Sequence, residues 1–244
     1  MISVCMATYN GERYISEQLR SILSQLPEDA EVIVSDDGST DATCQLIESF
    51  HDPRIRLLHN DSHNFKWNFQ NAMLHAKGDF IFLSDQDDVW IENKVERCMQ
   101  LLQDYDLVVH DSRLCDSDLN VISESFFDFY HSGKGLLKNA INNTYFGACM
   151  AFRRELMQAA LPLPRTQEIG HDIWLGLVAE ALGKRILFLH EPYLLYRRHD
   201  LAHTNLSQSL LKRSQRPLWL KCWSRVVVIW NVMKFKAKKQ KIGK

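Results

Sequence analysis

Several things are scarce in this 244-residue chain, and each scarcity excludes a class of protein. No apolar run reaches the roughly 18–20 residues of a membrane-spanning helix. The opening Met1-Ile2-Ser3-Val4-Cys5-Met6-Ala7-Thr8-Tyr9-Asn10 has no basic n-region and no Ala-x-Ala-like cleavage site. It reads as a first buried strand rather than a signal peptide. The six cysteines, Cys5, Cys44, Cys98, Cys115, Cys149 and Cys222, are scattered with no C-x-x-C pair. That argues against a zinc site or a disulfide framework and fits a reducing cytosol. Low-complexity linkers and internal repeats are absent. Ala7–Tyr14 holds only Gly11 and Arg13, too little for the glycine-rich basic triphosphate loop of a nucleotidyltransferase. Acids are missing altogether from Leu201 onward, where 11 of the 29 Lys and Arg fall. The remaining 18 cations stand against 30 acids, so an acidic body carries a basic tail, and the two parts suit different partners.

What is present is ordinary for a soluble domain: 45% hydrophobic and 24% charged residues, enough for one large domain with additions. Strand-like and helix-like segments alternate. Ile2–Ala7, Glu31–Ser35, Arg54–His59, Asp79–Leu83 and Leu107–His110 read as strands. Glu12–Gln25, Asp41–Ser49 (capped by Ser39 or Thr40), Trp67–Ala76 and Ile91–Gln103 read as helices between them. This order predicts an α/β fold with a mostly parallel sheet between helical layers. The pattern weakens over Ser112–Asn143, consistent with an excursion over a site. It resumes with helices Arg153–Ala160 and Ile173–Leu182, the latter closed by Gly183, and a strand Arg185–Leu189.

Chemistry collects at strand ends. Phe80-Ile81-Phe82-Leu83 stops at Ser84-Asp85-Gln86-Asp87-Asp88-Val89-Trp90, three carboxylates in four positions. A buried parallel strand would deliver them into the crevice where open α/β sheets bind ligands. Like charges there call for a divalent cation, and hard cations share carboxylate oxygens with substrate phosphates. Val32-Ile33-Val34-Ser35-Asp36-Asp37-Gly38-Ser39-Thr40-Asp41 repeats the logic, with Asp41 suited to capping and the Asp36-Asp37 pair to a base or ribose. Asp172, in Gly170-His171-Asp172-Ile173-Trp174, opens an amphipathic helix whose dipole favours an ionised acid, as a general base requires. Arg197, Arg198 and His199 follow a strand-like Tyr193–Tyr196 and suit phosphate oxygens.

Together these segments resemble a family 2 glycosyltransferase with the GT-A fold. The resemblance rests on Met6–Gly11, Val34–Asp41, Gly78–Trp90, Gly147–Phe152, His171–Trp174 and Tyr196–His199, in the family's order over roughly residues 1–205. It implies a Rossmann-like, mostly parallel sheet flanked by helices. The nucleotide-sugar half would be 1–110, the acceptor half 111–205 and a basic amphipathic helical tail 206–244. It implies that Thr8 and Tyr9 line the nucleotide pocket, that Asp37 holds the base beside Asp36, and that Asp85 and Asp87 bind ribose and an Mg²⁺ or Mn²⁺ ion. Arg197 and Arg198 would contact the diphosphate, His199 the metal or diphosphate, and Asp172 would be the catalytic base. His171 stands where the family more often has Glu, so a protonated His171 would make the base's surroundings less negative. Ser62-His63-Asn64 stands where Asn-x-Gly is common, with Asn64 suited to the left-handed turn. The Ser84–Trp90 version resembles rhamnosyl- and glucosyltransferase-like members.

The implied activity is inverting, metal-dependent transfer of a hexose from a UDP- or dTDP-linked sugar to a lipid-linked or oligosaccharide acceptor. The setting would be bacterial surface polysaccharide (O-antigen or capsule) synthesis. The alternative is a non-catalytic nucleotide-sugar or glycan-binding module, against which the joint presence of Asp37, Asp85, Asp87 and Asp172 argues. In the tail, Trp219, Trp223, Val226 and Trp230 recur at helical spacing ahead of a lysine cluster. This suits an interfacial helix on anionic lipid, hence a cytoplasmic protein peripheral to the inner face of the inner membrane. The rival for the tail is a helix packed on the domain. Nucleic acid is not an expected partner, because the acidic body opposes it.

Overall fold

The structure is a computed structural model and describes residues 1–141, 143–198 and 217–242. The first half alternates β1 (Ile2–Thr8), α1 (Ile15–Leu23), β2 (Glu31–Asp36), α2 (Thr43–Glu48), β3 (Ile55–His59), α3 (Phe65–His75) and β4 (Phe80–Ser84). Then come β5 (Val89–Trp90), α4 (Lys94–Leu101), β6 (Leu107–Cys115), β7 (Val121–Ser123) and the short helices α5 (Phe126–Tyr130) and α6 (Leu136–Ile141). After a 3₁₀ turn at Gly147–Cys149 follow β8 (Met150–Arg153), α7 (Arg154–Ala160), α8 (His171–Ala181), β9 (Ile186–Arg197) and α9 (Leu218–Ile242).

One sheet joins them in the order β3-β2-β1-β4-β8-β6-β9-β5, with β7 attached to β6. β1 and β2 are buried along their whole length, as expected of apolar runs covered by helices on both faces. The first four strands are parallel; β8 then runs antiparallel to both β4 and β6, while β6 and β9 pair in parallel. The parallel order thus holds for β1 to β4, and the sheet is mixed beyond them. The boundary expected at residue 110 falls within β6, so both halves share one sheet.

β1 is the pivot. The chain moves from it outward to β2 and β3, then returns to add β4 on its other side. Such a reversal opens a crevice at the carboxyl ends of the strands. Thr8 pairs with Asp36 at the end of β2, and Met6 pairs with Ser84 at the end of β4. The two acid-bearing strand ends are therefore next-but-one neighbours flanking the same strand.

Two local expectations change. α2 begins at Thr43 with Ala42 at its N-cap position and no side-chain cap bond there; Asp41, one residue earlier, accepts from Thr43 N at 3.0 Å through Oδ1, while Ser39 and Thr40 bond to Asn10. At the 62–64 turn the left-handed residue is His63 (φ 48°), while Asn64 is extended and caps α3 by accepting from Lys66 N at 3.1 Å. A side chain can cap only from extended backbone, so the two roles cannot fall on one residue. Gly183 does close α8, at φ 66°. Of the tail expected over 206–244, the described part is α9; 206–216 and 243–244 lie outside the described residues. Among the described residues no helix is long and apolar enough to cross a membrane.

α8 is seated by the ring of Tyr145, which lies where a Cβ on Gly176 would be, and whose hydroxyl donates to Glu180 at 2.9 Å. Gly176→Ala should therefore destabilise the protein by about 1–3 kcal/mol through overpacking, despite alanine's better helix propensity. Urea denaturation checks it; an unchanged or raised midpoint would contradict this packing of α8.

Candidate active site

Three loops meet at the crevice and are tied to one another by side chains. The Gln86 amide bridges the β4 and β1 loops: Oε1 accepts from Thr8 Oγ1 (2.5 Å) and Tyr9 N (2.8 Å), and Nε2 donates to Tyr9 O (3.0 Å). A Cβ at Gly11 would collide with that amide, which explains glycine there. The β1 and β2 loops are joined by Gly11 N to Thr43 Oγ1 at 2.7 Å and by the Asn10 bonds above. Thr8 is buried and Tyr9 about half exposed at the rim.

Asp36 and Asp37 are both nearly fully buried. Asp36 accepts from Gly38 N, Ser39 N and Ser39 Oγ within its own turn. Asp37 reaches the next loop, accepting from Ser62 N (2.7 Å), Ser62 Oγ (3.0 Å) and Asn64 N (2.7 Å). The pair therefore first organises the pocket wall. Each carboxylate has about four lone-pair sites, so these bonds leave acceptor capacity toward a ligand.

The Asp85–Asp88 loop is electrostatically the most unusual part of the protein. Burial, then the neighbouring Asp87 and Asp172, push the Asp85 carboxyl up to about 7. Asp88 is fully buried and raised well above the usual carboxylate range, by burial and then by Asp87 and Asp85. Its Oδ1 accepts from Arg197 N at 3.0 Å, whereas its buried Oδ2 has no hydrogen-bond partner among the described residues. Asp87 is half-buried beside them. A hard divalent cation fits this set: crowded carboxyls that resist ionising alone, with one buried oxygen unsatisfied.

Among the described residues, the three-ligand grouping with atoms within 4.8 Å of one another is instead Asp36, Cys44 and His59. Chemistry speaks against it, since burial and the Asp36 charge push the Cys44 thiol up to about 11. A thiol held protonated is a poor ligand. Two loop carboxylates plus donor phosphate oxygens are the usual way such sites are completed.

Buried cations hold the acidic loop. Arg197 was expected to face the diphosphate. It is buried instead, with Nε on Asp87 O (2.8 Å), Nη1 on Ser117 O (2.5 Å), Nη2 on the Glu17 carboxylate and the guanidinium 4.5 Å from the Tyr14 ring. A planar guanidinium spent on this many acceptors is a clamp on the loop. Arg198 is half-buried, its backbone N–H bonded to Cys115 O at 2.9 Å. His199 lies outside the described residues.

Sequence reading missed Lys94 and Gln18. Lys94 is fully buried in α4, donates to Ala148 O at 2.9 Å and sits 4.0 Å over the Trp90 ring. Burial lowers it to about 8, against the opposing pull of Cys149, Cys98, Asp88 and Asp85. Gln18 donates to Ser84 Oγ (2.7 Å) and to Asp85 O (3.1 Å). The available signal was a polar residue inside an apolar stripe: Gln18 among Ile15, Leu19 and Ile22, and Lys94 beside Val95 and Cys98.

Asp172 lies on the first turn of α8, where its Oδ1 accepts from Ile173 N at 2.7 Å. Its effect on Asp85 shows that the two carboxylates share one field. Gly147 packs below it: a Cβ there would stand 2.8 Å from His171 Nε2 and 3.5 Å from Asp172 Cβ. His171 is buried, stacked on Phe69 with centroids 3.9 Å apart, and burial lowers its pKa below the usual histidine value. It is neutral near pH 7, so it does not dilute the local negative charge as a protonated ring would. Lys66, also buried, ties α3 to the segment before α8 by donating to Pro164 O and Thr166 O at 2.9 and 2.6 Å.

Comparison with known proteins agrees with this architecture. The chain matches Glycosyl transferase family 2 over residues 3–161, and it belongs to that family. It is 37% identical over 103 residues to UDP-Glc:alpha-D-GlcNAc-diphosphoundecaprenol beta-1,3-glucosyltransferase WfgD of Escherichia coli, covering 42% of this chain and 41% of that protein. It is 34% identical over 151 residues to dTDP-rhamnosyl transferase RfbG of Shigella flexneri, covering 58% of this chain and 48% of that protein. The chain thus spans less than half the length of either relative. Its fold is GT-A, a mixed sheet with flanking helices. The S. aureus TarS structure with UDP-GlcNAc superposes with TM-score 0.71 at 21% identity, covering 94% of this chain and 66% of that one. The Pyrobaculum calidifontis mannosyltransferase PcManGT, solved with GDP-Man and Mn²⁺, gives 0.63 at 22%, covering 84% and 59%.

The raised carboxyls carry a pH signature. In an unfolded chain they ionise near pH 4, whereas folded Asp85 does so at about 7. Across that window the folded state holds the extra proton, so stability falls as pH rises through it. A divalent cation bound to the ionised form reverses the loss. Mn²⁺ is therefore expected to raise Tm more at about pH 8 than at about pH 5.5, its apparent affinity weakening roughly tenfold per pH unit below about 7. Thermal shifts with and without Mn²⁺ check this; equal shifts at both pH values would contradict it.

Proposed function

We propose that the chain is an inverting, metal-dependent glycosyltransferase moving a hexose from a UDP- or dTDP-linked sugar to a lipid-linked glycan acceptor in bacterial surface polysaccharide synthesis. The observation that carries the reading is the acidic loop that ends β4, where buried Asp88 keeps one unsatisfied carboxylate oxygen beside Asp87 and Asp85. Thr8 and Tyr9 line the nucleotide, Asp37 and Asp36 hold the base and ribose, and Asp85 also reaches the ribose. Asp85 and Asp87 hold Mg²⁺ or Mn²⁺, with His199 as a further contact and Arg198 toward the diphosphate. When bound, that ion offsets charge on the departing nucleoside diphosphate. Arg197, Lys94 and Gln18 keep the loop in position.

Asp172 accepts the proton of the acceptor hydroxyl as its oxygen attacks the anomeric carbon. The new C–O bond forms as the bond to the diphosphate breaks, on the opposite face, so configuration inverts. Support for the donor class comes from the relatives named for UDP-Glc and dTDP-rhamnose, and for a lipid-linked acceptor from the diphosphoundecaprenol in one relative's name. The domain halves meet at this crevice, the donor on 1–110 and the acceptor on 111–205. The basic segment 206–244 holds the protein to an anionic membrane surface, on the cytoplasmic face of the inner membrane.

Asp172→Asn should keep donor binding and lose about 10²–10⁴-fold in turnover. Nucleoside diphosphate release is measured with UDP-glucose, UDP-galactose and dTDP-rhamnose, beside nucleotide binding by thermal shift. Near-normal turnover of the variant would remove Asp172 from the mechanism. A wild-type protein that binds donor yet never turns over with any acceptor would favour a binding module.

A further inference from the structure

α9 carries two apolar faces, and the fold uses only one. Val228, Val232 and Phe235 recur at i, i+4 and i+7; the two valines are buried and Phe235 packs edge-on against Trp174 of α8, with centroids 5.7 Å apart. On the same side Ser224 donates to the Glu168 carboxylate just before α8, and Arg225 Nε donates to Ile141 O of α6 at 3.2 Å. The opposite face holds Trp219, Trp223, Val226, Trp230 and Met233, again at four- and three-residue steps. These are 69%, 58%, 57%, 66% and 60% exposed. Three exposed tryptophans in one line exceed the scattered apolar residues of an ordinary surface.

We infer that this tryptophan face is a docking surface for an anionic lipid bilayer, and that it seats α8, with Asp172 at its first turn, against the membrane plane. The inference deepens the proposed function and rests on its reading of a lipid-linked acceptor. Charge selects the occupant. α9 contains no acid, and Lys234, Lys236, Lys238 and Lys239 are exposed along its last turns. A second copy docked on the same face by a two-fold axis would set this acid-free helix against itself. Anionic headgroups complement it, and tryptophan suits the headgroup boundary, with its apolar ring and polar N–H. Because the other face of α9 grips α8 and the Glu168 segment, lipid docking fixes how the acceptor side of the crevice meets a substrate carried in that membrane.

The test uses the full chain and the triple variant Trp219→Ala, Trp223→Ala, Trp230→Ala, whose side chains are exposed and outside the crevice. The probe is phosphatidylglycerol-containing vesicles, with pure phosphatidylcholine vesicles beside them. Wild-type protein should sediment with the anionic vesicles, and brominated lipid should quench its fluorescence. The variant should lose about tenfold or more in vesicle affinity and lose the quenching, because Trp90 and Trp174 are buried in the domain and Trp67 is half-buried there. Nucleotide thermal shifts should stay unchanged in both, while transfer to a vesicle-borne acceptor falls in the variant alone. Equal vesicle binding by both proteins, or a wild-type dimer in ultracentrifugation that the triple variant abolishes, would overturn the inference and leave the proposed activity standing. Vesicle binding that follows the tryptophans, with no sugar transfer by either protein, would do the reverse.

Discussion

Acids crowd at the end of β4 in this protein, and much of the surrounding structure answers their mutual repulsion. Asp85, Asp87 and Asp88 lie within four positions just after β4, and Asp172 on the first turn of α8 adds to the field at Asp85. Isolated charges are not tolerated at such burial unless protonated or paired. Here two carboxyls are held toward their protonated forms, a fully buried lysine lies close by, and an arginine immobilises the loop. Site and reactivity are thus one electrostatic arrangement.

Its supports come from far apart in the chain. Arg197 ends β9, a strand that also pairs with β5 immediately after the acidic loop, so loop and clamp are fixed by one ladder. Gln18 on α1 donates to the loop, Lys94 on α4 is buried over Trp90 just beyond it, and Gln86 stitches it to β1. Asp36 and Asp37 do comparable work across the pivot strand, organising the turns that wall the pocket. Rigidity here matters because electrostatic catalysis depends on groups fixed before the substrate arrives.

α9 extends the same economy outward. One of its faces completes the core beside α8; the other presents tryptophans to the surroundings. The charge asymmetry visible in composition is thus resolved in space: the acids crowd at the strand ends, and the cations of the acid-free α9 lie exposed along its last turns.

Much was legible beforehand, for a definite reason. Strands β1, β2 and β4 announce themselves because burial on both faces demands unbroken apolar runs, and acids that end such runs must project at the carboxyl edge of the sheet. Period and termination are local properties, so the α/β order, the two acidic strand ends and the acid opening α8 follow from sequence alone. β5, β7 and β8 were not legible, being two, three and four residues long and stabilised by partners elsewhere in the chain. Nor was the exchange of roles between His63 and Asn64, or the turning of Arg197 inward, or the neutrality of His171. Which cations become buried clamps, and which carboxyls keep their protons, depends on who surrounds them after long-range pairing. Linear sequence thus determined what chemistry is available and at which strand ends it lies; only the folded packing decided its charge state and its neighbours, because desolvation and Coulomb forces act through space rather than along the chain.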